Sequence, residues 1–222
     1  KTRKSSSSRL WGSYEGPTQK DNRVGYPIMN LDFFDQPVEK AIVKEIRQWS
    51  AEALEKPSHY FHNLPPCPYA RSAWLNNKVA IIFNKEPSYQ VLYSCISRFD
   101  DVFDLAIIVN TKPSEDAELF HSYLDQLNDV IADGMFINKD IWLMGFHPLD
   151  EPSDFVQEIN FDYEVHTEYS MIFVQRLSKL QEAADKLHKK GYYDSYVGEY
   201  DASDIYQKRT ELYRRLKDGD EA

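Results

Sequence analysis

Val79-Ala80-Ile81-Ile82-Phe83 is an unbroken run of five apolar residues between Lys78 and Asn84. A strand with one wet face would alternate apolar and polar residues. This one does not, so it predicts a strand buried on both sides. Similar apolar stretches lie at 103–109, broken only by Asp104, and at 141–146 and 171–174. Between the first two, Val91, Leu92, Cys95, Ile96 and Phe99 recur at helical steps over 88–99. Leu119, Phe120, Tyr123, Leu124, Leu127 and Ile131 do the same over 114–132, with Ser114, Glu115 and Asp116 as cap chemistry and Gly134 as the stop. Strands alternating with helices predict an α+β class with a mixed sheet. Four strands make a small sheet, and the simplest arrangement is a two-layer sandwich with helices packed on it.

Working outward, residues 37–55 carry Val38, Ala41, Ile42, Ile46, Trp49, Ala53 and Leu54 at helical spacing. Asp35 is a candidate cap, Pro37 fits the first turn, and Lys56-Pro57 closes the helix. Residues 57–66 hold three prolines and read as a loop. A short helix follows over 67–77. Residues 177–190 form another helix, with Gly191 as its cap. The expected organisation is therefore an extended arm at 1–30, one globular domain at 31–191, and a tyrosine-rich tail at 192–222 ending in a short amphipathic stretch with Ile205, Leu212 and Leu216. Internal docking of the tail tyrosines is the simpler expectation.

Composition sets the class. Of 222 residues, 42% are hydrophobic and 28% charged. That balance fits a globular chain and excludes collagen-like and wholly disordered proteins. No run of ~18 apolar residues exists, so no membrane span is expected. Residues 1–26 carry six basic residues against two acidic ones, a balance of +4. The chain total is −10, which leaves −14 for the rest. An acidic body repels phosphate backbones, so general nucleic-acid binding is not expected. Cys67 and Cys95 are the only cysteines. Two thiols make no secreted disulfide framework, and they point to a reducing, cytoplasmic setting.

The chemistry-bearing stretch is Leu64-Pro65-Pro66-Cys67-Pro68-Tyr69-Ala70-Arg71. Cys67 falls where an N-cap is expected, with Pro68 at the first helical position. The free N–H groups of a helix start stabilise a thiolate, so a lowered thiol pKa is expected. Arg71, one turn on, is a candidate anion holder. The bland alternative is a small residue shaping a turn. His147 ends the third strand in Phe146-His147-Pro148, where α/β sheets place ligands. It is a candidate base and a candidate partner for Cys67.

Two resemblances attach to these residues. Cys67-Pro68-Tyr69-Ala70 is similar to the active-site turn of glutaredoxins and some glutathione transferases, although no second cysteine follows at the CxxC position. Over a longer span, the chain resembles an uncharacterised bacterial domain family with an Asn-Leu-Cys-Pro-Phe-Ala-Lys motif and a later Phe-His-Pro. The likeness runs from Trp49 through Cys67-Pro68-Tyr69-Ala70-Arg71 and Phe146-His147-Pro148 to Tyr169 and Arg176. It implies no activity, only that Cys67 and His147 are the positions to watch.

Other signals are thinner. His59 and His62 are weak metal candidates together with Cys67, with His166 and Glu168 as further donors. Asp150, Glu151, Asp154 and Glu158 read as a solvated acidic face. No phosphate-binding loop or serine-hydrolase motif occurs, so nucleotide and serine-hydrolase readings lack their anchors, and the cofactor stays open. Two functional readings stand. One is a thiol-dependent enzyme or redox protein using Cys67, Arg71 and His147. The other is a non-catalytic interaction or assembly protein using its arm and tyrosine-rich tail.

Overall fold

The computed structural model describes residues 36–67, 69–86, 88–99, 102–136, 140–150, 168–192, 196–197 and 200–220. The arm at 1–30, Asp35, Pro68, Glu151, Asp154, Glu158 and His166 lie outside the described residues. So do the side chains of Tyr193, Tyr196, Tyr200 and Ile205.

Helix α1 (Pro37–Trp49) runs into a π-helical turn at Ser50–Leu54. A 3₁₀ turn (His59–Phe61) and the six-residue α2 (Ala70–Leu75) lead to β1 (Val79–Asn84). Then follow α3 (Gln90–Arg98), β2 (Leu105–Asn110), α4 (Ala117–Ala132), β3 (Trp142–Phe146) and β4 (Ser170–Gln175). The chain ends with α5 (Leu177–His188), the two-residue strands β5 (Tyr196–Val197) and β6 (Tyr200–Asp201), and α6 (Ala202–Asp220). The α+β class and the four-stranded sheet are as the sequence predicts.

The sheet order is β1-β2-β4-β3. β1 and β2 are parallel, and β4 is antiparallel to both of its neighbours, β2 and β3. β1, β2 and β3 therefore point the same way, with β4 reversed between β2 and β3. Facing residues fix the register: Leu105 sits opposite Gln175, Asn110 opposite Ser170, and Phe146 opposite Met171.

Helices cover both faces, which corrects the two-layer expectation to helix–sheet–helix. Leu105, Ile107, Val109, Met171 and Phe173 pack with Ile42, Ile46, Trp49, Ala73 and Trp74 from α1 and α2. The alternate residues Ala106, Ile108, Ile172 and Val174 pack with Leu92, Ile96, Leu124, Leu127 and Ile131 from α3 and α4. Strands without alternation have two dry faces, and each face needs its own cover. Gly145 lets α4 close on β3. A Cβ there would meet Phe120 Cε1 at 2.4 Å and Leu124 Cδ1 at 2.7 Å. On α4, Asp116 caps the start by accepting a hydrogen bond from the Leu119 N–H at 2.8 Å. Leu119 itself points outward at 68% exposure.

The tail folds back on this body. Leu212 of α6 is buried against Ala132, Trp142, Leu177 and Leu180, with Tyr213 and Leu216 beside it. Among the described residues, no helix is long and apolar enough to cross a membrane.

Candidate functional site

The two expected site residues lie at opposite ends of the sheet. Tyr69, two residues after Cys67, faces Asp104 and Arg176. Asp104 precedes β2 and Arg176 follows β4, and these two points share one sheet end. His147 follows β3 at the other end, beside the close of β2. Six residues of strand, roughly 17 Å, separate the ends. Cys67 and His147 therefore do not form a pair. Sequence spacing carries no information on which strand end a loop reaches.

Three local contacts hold the Cys67 loop. The Cys67 N–H donates to Leu54 O at 3.0 Å, which ties the loop to the π-helical turn. The Ala70 N–H donates to Cys67 O at 3.1 Å. Tyr192 Oη donates to Pro66 O at 2.7 Å and lies 3.3 Å from Pro65 O, with its ring stacked on Phe61 at 5.4 Å. The helix proper begins later than expected, with Tyr69 as its N-cap residue. Cys67 is thus in the turn ahead of α2 and is not itself the cap. Its sulfur still receives the Ala70 and Tyr69 backbone N–H groups.

The expected low thiol pKa does not result. Burial pushes Cys67 up, and this outweighs the Ala70 and Tyr69 N–H groups and the Arg209 cation, which pull it down. Glu55 pushes it further up. Part of the residue still reaches solvent, but the protein packed around the sulfur sets the balance. The cation facing the thiol is Arg209 of α6. Arg71 is exposed on α2. Burial and the Asp104 carboxylate also raise the Tyr69 phenol, so it stays protonated beside the sulfur.

Beneath the loop lies a buried polar network. Arg47 donates to Glu55 Oε1 at 2.5 Å and to Oε2 at 3.2 Å. Ser50 Oγ donates to Glu55 at 2.9 Å, and Trp74 Nε1 donates to Ser50 Oγ at 2.8 Å. The Arg47 guanidinium covers the Trp74 ring at 5.0 Å. Isolated π-helical turns mark functional positions in many proteins, and this one presents Glu55 to Cys67. Sequence reasoning missed Glu55 and Arg209. Arg209 did leave a signal, since it shares the i, i+3, i+4, i+7 face of α6 with Leu212, Tyr213 and Leu216.

Cys95 lies on the other face of the sheet, packed among α3 and α4 side chains, and burial pushes its thiol up to about 12. The two thiols cannot join across the sheet. His59 and His62 are exposed on their loop. Among the described residues, no group of three or more His, Cys, Asp or Glu residues is placed to hold a metal ion.

At the far end, His147 is buried and serves the backbone. Its Nδ1 accepts from the Leu149 N–H at 3.2 Å. Its Nε2 lies 3.0 Å from Ser114 O and 3.3 Å from Ser114 Oγ. These partners assign the proton to Nε2, which donates to Ser114 O. Both ring nitrogens are thus used in joining two loops. Nearby, Asn84 donates to Asn110 at 3.0 Å and Asn110 to Ser170 at 3.2 Å, so this end is bound by a satisfied amide chain.

Asp150 closes the same corner, accepting from the His147 N–H at 2.7 Å and pairing with His121 Nε2 at 2.7 Å. The Asp150 hydrogen bond raises His121 above 6.5, against burial and with help from Asp125. Burial pushes Asp150 up, but His121 and the His147 N–H outweigh it and hold it below 3.8. The His121 contribution is full below its ordinary value and is lost as pH rises through its raised one. The Asp150 contribution is present above its ordinary value and is lost as pH falls through its lowered one. The clasp is therefore strongest between about pH 4 and 6.5. An NMR titration of Asp150→Asn should show the His121 midpoint moving down toward 6.5. An unmoved midpoint would remove Asp150 as the cause.

No family model, curated protein or solved structure matches the chain.

Proposed function

We propose that the protein is a single-thiol nucleophile centred on Cys67. What supports the reading is convergence: two backbone N–H groups and the Arg209 cation all face one sulfur. In this reading they hold the thiolate once it forms, and the protonated Tyr69 donates a hydrogen bond to the departing group, which leaves with the electron pair of the broken bond and takes its proton from solvent. Arg71 and His147 have no part in it, because one is exposed on α2 and the other sits at the far sheet end. Cys95, buried beyond the sheet, is no resolving thiol, so the reaction class is attack on an external electrophile. The sulfur electron pair makes the new bond, its proton passes to solvent, and the leaving group departs. A reducing intracellular setting would keep such a thiol free.

Partner binding through the tail is the weaker reading, since Tyr192, Tyr206 and Tyr213 make contacts within the chain itself.

The test is alkylation of Cys67 against pH with neutral iodoacetamide and anionic iodoacetate, with Cys67→Ser as the blank. The expected midpoint lies above that of a free thiol. Relative to free cysteine, iodoacetate should gain over iodoacetamide, and Arg209→Gln should abolish that gain. A free-thiol midpoint together with no dependence on Arg209 would overturn the reading.

A further inference from the structure

We propose that Tyr192 and helix α6 form a strap that gates Cys67: docked, it shields the sulfur, and released, it opens the sulfur to reagents. This regulation rests on the reading of Cys67 as the nucleophile.

The strap touches the site at two points. Tyr192 pins the carbonyls of Pro65 and Pro66 immediately before Cys67, and its ring stacks on Phe61. The charge of Arg209, on α6 itself, lies close enough to pull the thiol pKa down. One helical turn on, Leu212 is buried, and Tyr213 and Leu216 complete the inward face.

How the strap is held decides what it can do. Its apolar contact is narrow, with Leu212 as its one fully buried side chain among the described residues of α6. The other holds are polar and half in water. Lys208 pairs with Asp125 at 2.8 Å. Arg215 Nε donates to Asp133 at 3.0 Å, and its other nitrogens reach Asp129 Oδ1 at 3.2 Å and Asp129 O at 3.1 Å. Gln181 donates to Thr210 at 2.9 Å, and Tyr206 donates to Asp185 at 2.9 Å. The His188 ring stacks on Tyr206 at 4.6 Å. Exposed ion pairs are weak and are screened by salt. The sheet, by contrast, is dry on both faces. Elements held by few buried contacts open locally at far lower cost than the core. Helix α6 is thus, among the described elements, the one that opens first, and it carries the cation whose charge acts on the half-buried thiol.

The experiment uses the full chain and reads Cys67 alkylation by iodoacetamide at fixed pH, located by peptide mass. Cys95 labelling reports global opening. Raising salt on the unaltered chain should speed Cys67 alkylation, and Arg215→Ala should raise it about three- to tenfold at low salt. Tyr192→Phe, which keeps the ring stack and loses the hydroxyl bonds, should raise it less. Cys95 should stay unlabelled throughout. Rates that ignore salt and both substitutions would overturn the strap, and so would Cys67 and Cys95 becoming reactive together. The nucleophile reading fails differently. In that case Arg215→Ala still speeds Cys67 alkylation, yet in the docked, otherwise unaltered chain Arg209→Gln leaves the iodoacetate preference of Cys67 unchanged.

Discussion

Asn128→Leu should cost about 4 kcal/mol of folding stability, one of the two largest losses expected from a single change in this chain. β3 is an edge strand, and its outward backbone groups need partners. Asn128, buried on α4, supplies them. Its Nδ2 donates to Leu143 O at 2.9 Å, and its Oδ1 accepts from the Leu143 N–H at 2.7 Å. One side-chain amide thus stands in for a neighbouring strand. Leucine fills the space and satisfies neither group, and each buried orphan costs about 1–3 kcal/mol. For a domain of this size, that should lower the melting temperature by about 10 °C. Asn128→Asp separates the two bonds, since it keeps the acceptor for the N–H and loses the donor to the carbonyl. At neutral pH its loss should be at least as large, because a buried carboxylate then faces the Leu143 carbonyl, and it should shrink at acid pH, where the protonated carboxyl can donate to that oxygen. Differential scanning calorimetry reads both variants, and a melting temperature within a degree of the parent for Asn128→Leu would rule out this role.

The strands were legible because burial on both faces leaves unbroken apolar runs, and Ala80, Ile82, Ala106 and Ile108 show why. They look away from α1, yet they are as apolar as their neighbours. The same fact already called for helices on both faces, and the low strand count alone favoured two layers. The insertion of β4 between β2 and β3 left no trace, because 171–174 reads the same in either direction. Helical stripes were legible where they were apolar. Polar residues turned inward were not. Asn128, Arg209 and Glu55 all resemble solvent-facing residues until their partners, far off in the chain, are in place. Cys67 and His147 stood out for their flanking prolines, and proline marks where a chain turns, not which sheet end it turns at. The low thiol pKa expected at Cys67 failed for a related reason. The N–H donors are local and visible in the sequence, whereas burial depends on the whole packed surround, which includes Tyr192, more than a hundred positions away.

Glu55→Gln should make the protein less stable and Cys67 more reactive in the same step. The Glu55 carboxylate is 8% exposed and its Arg47 partner 12%. Removing one member of a buried pair leaves the other charge uncompensated, at a cost of about 3–5 kcal/mol. Glutamine preserves the volume and an acceptor for Ser50 and Arg47, so the loss should fall at the lower end of that range. The thiol responds in the opposite direction. Glu55 is one of the groups raising Cys67, against the pull of Arg209. Without that negative charge the Cys67 pKa falls, the thiolate fraction at pH 8 grows, and alkylation quickens. General loosening would produce faster labelling too, but it would reach Cys95 behind the sheet as well. A lower alkylation midpoint at Cys67 identifies an electrostatic effect where Cys95 stays protected and the iodoacetate preference set by Arg209 does not weaken, because local loosening would hydrate the sulfur and lower the midpoint too but would loosen the hold of Arg209. If the midpoint stays where it is, Glu55 acts only as a strut for Arg47 and Ser50, and the charge balance at the sulfur rests on Arg209 and burial alone.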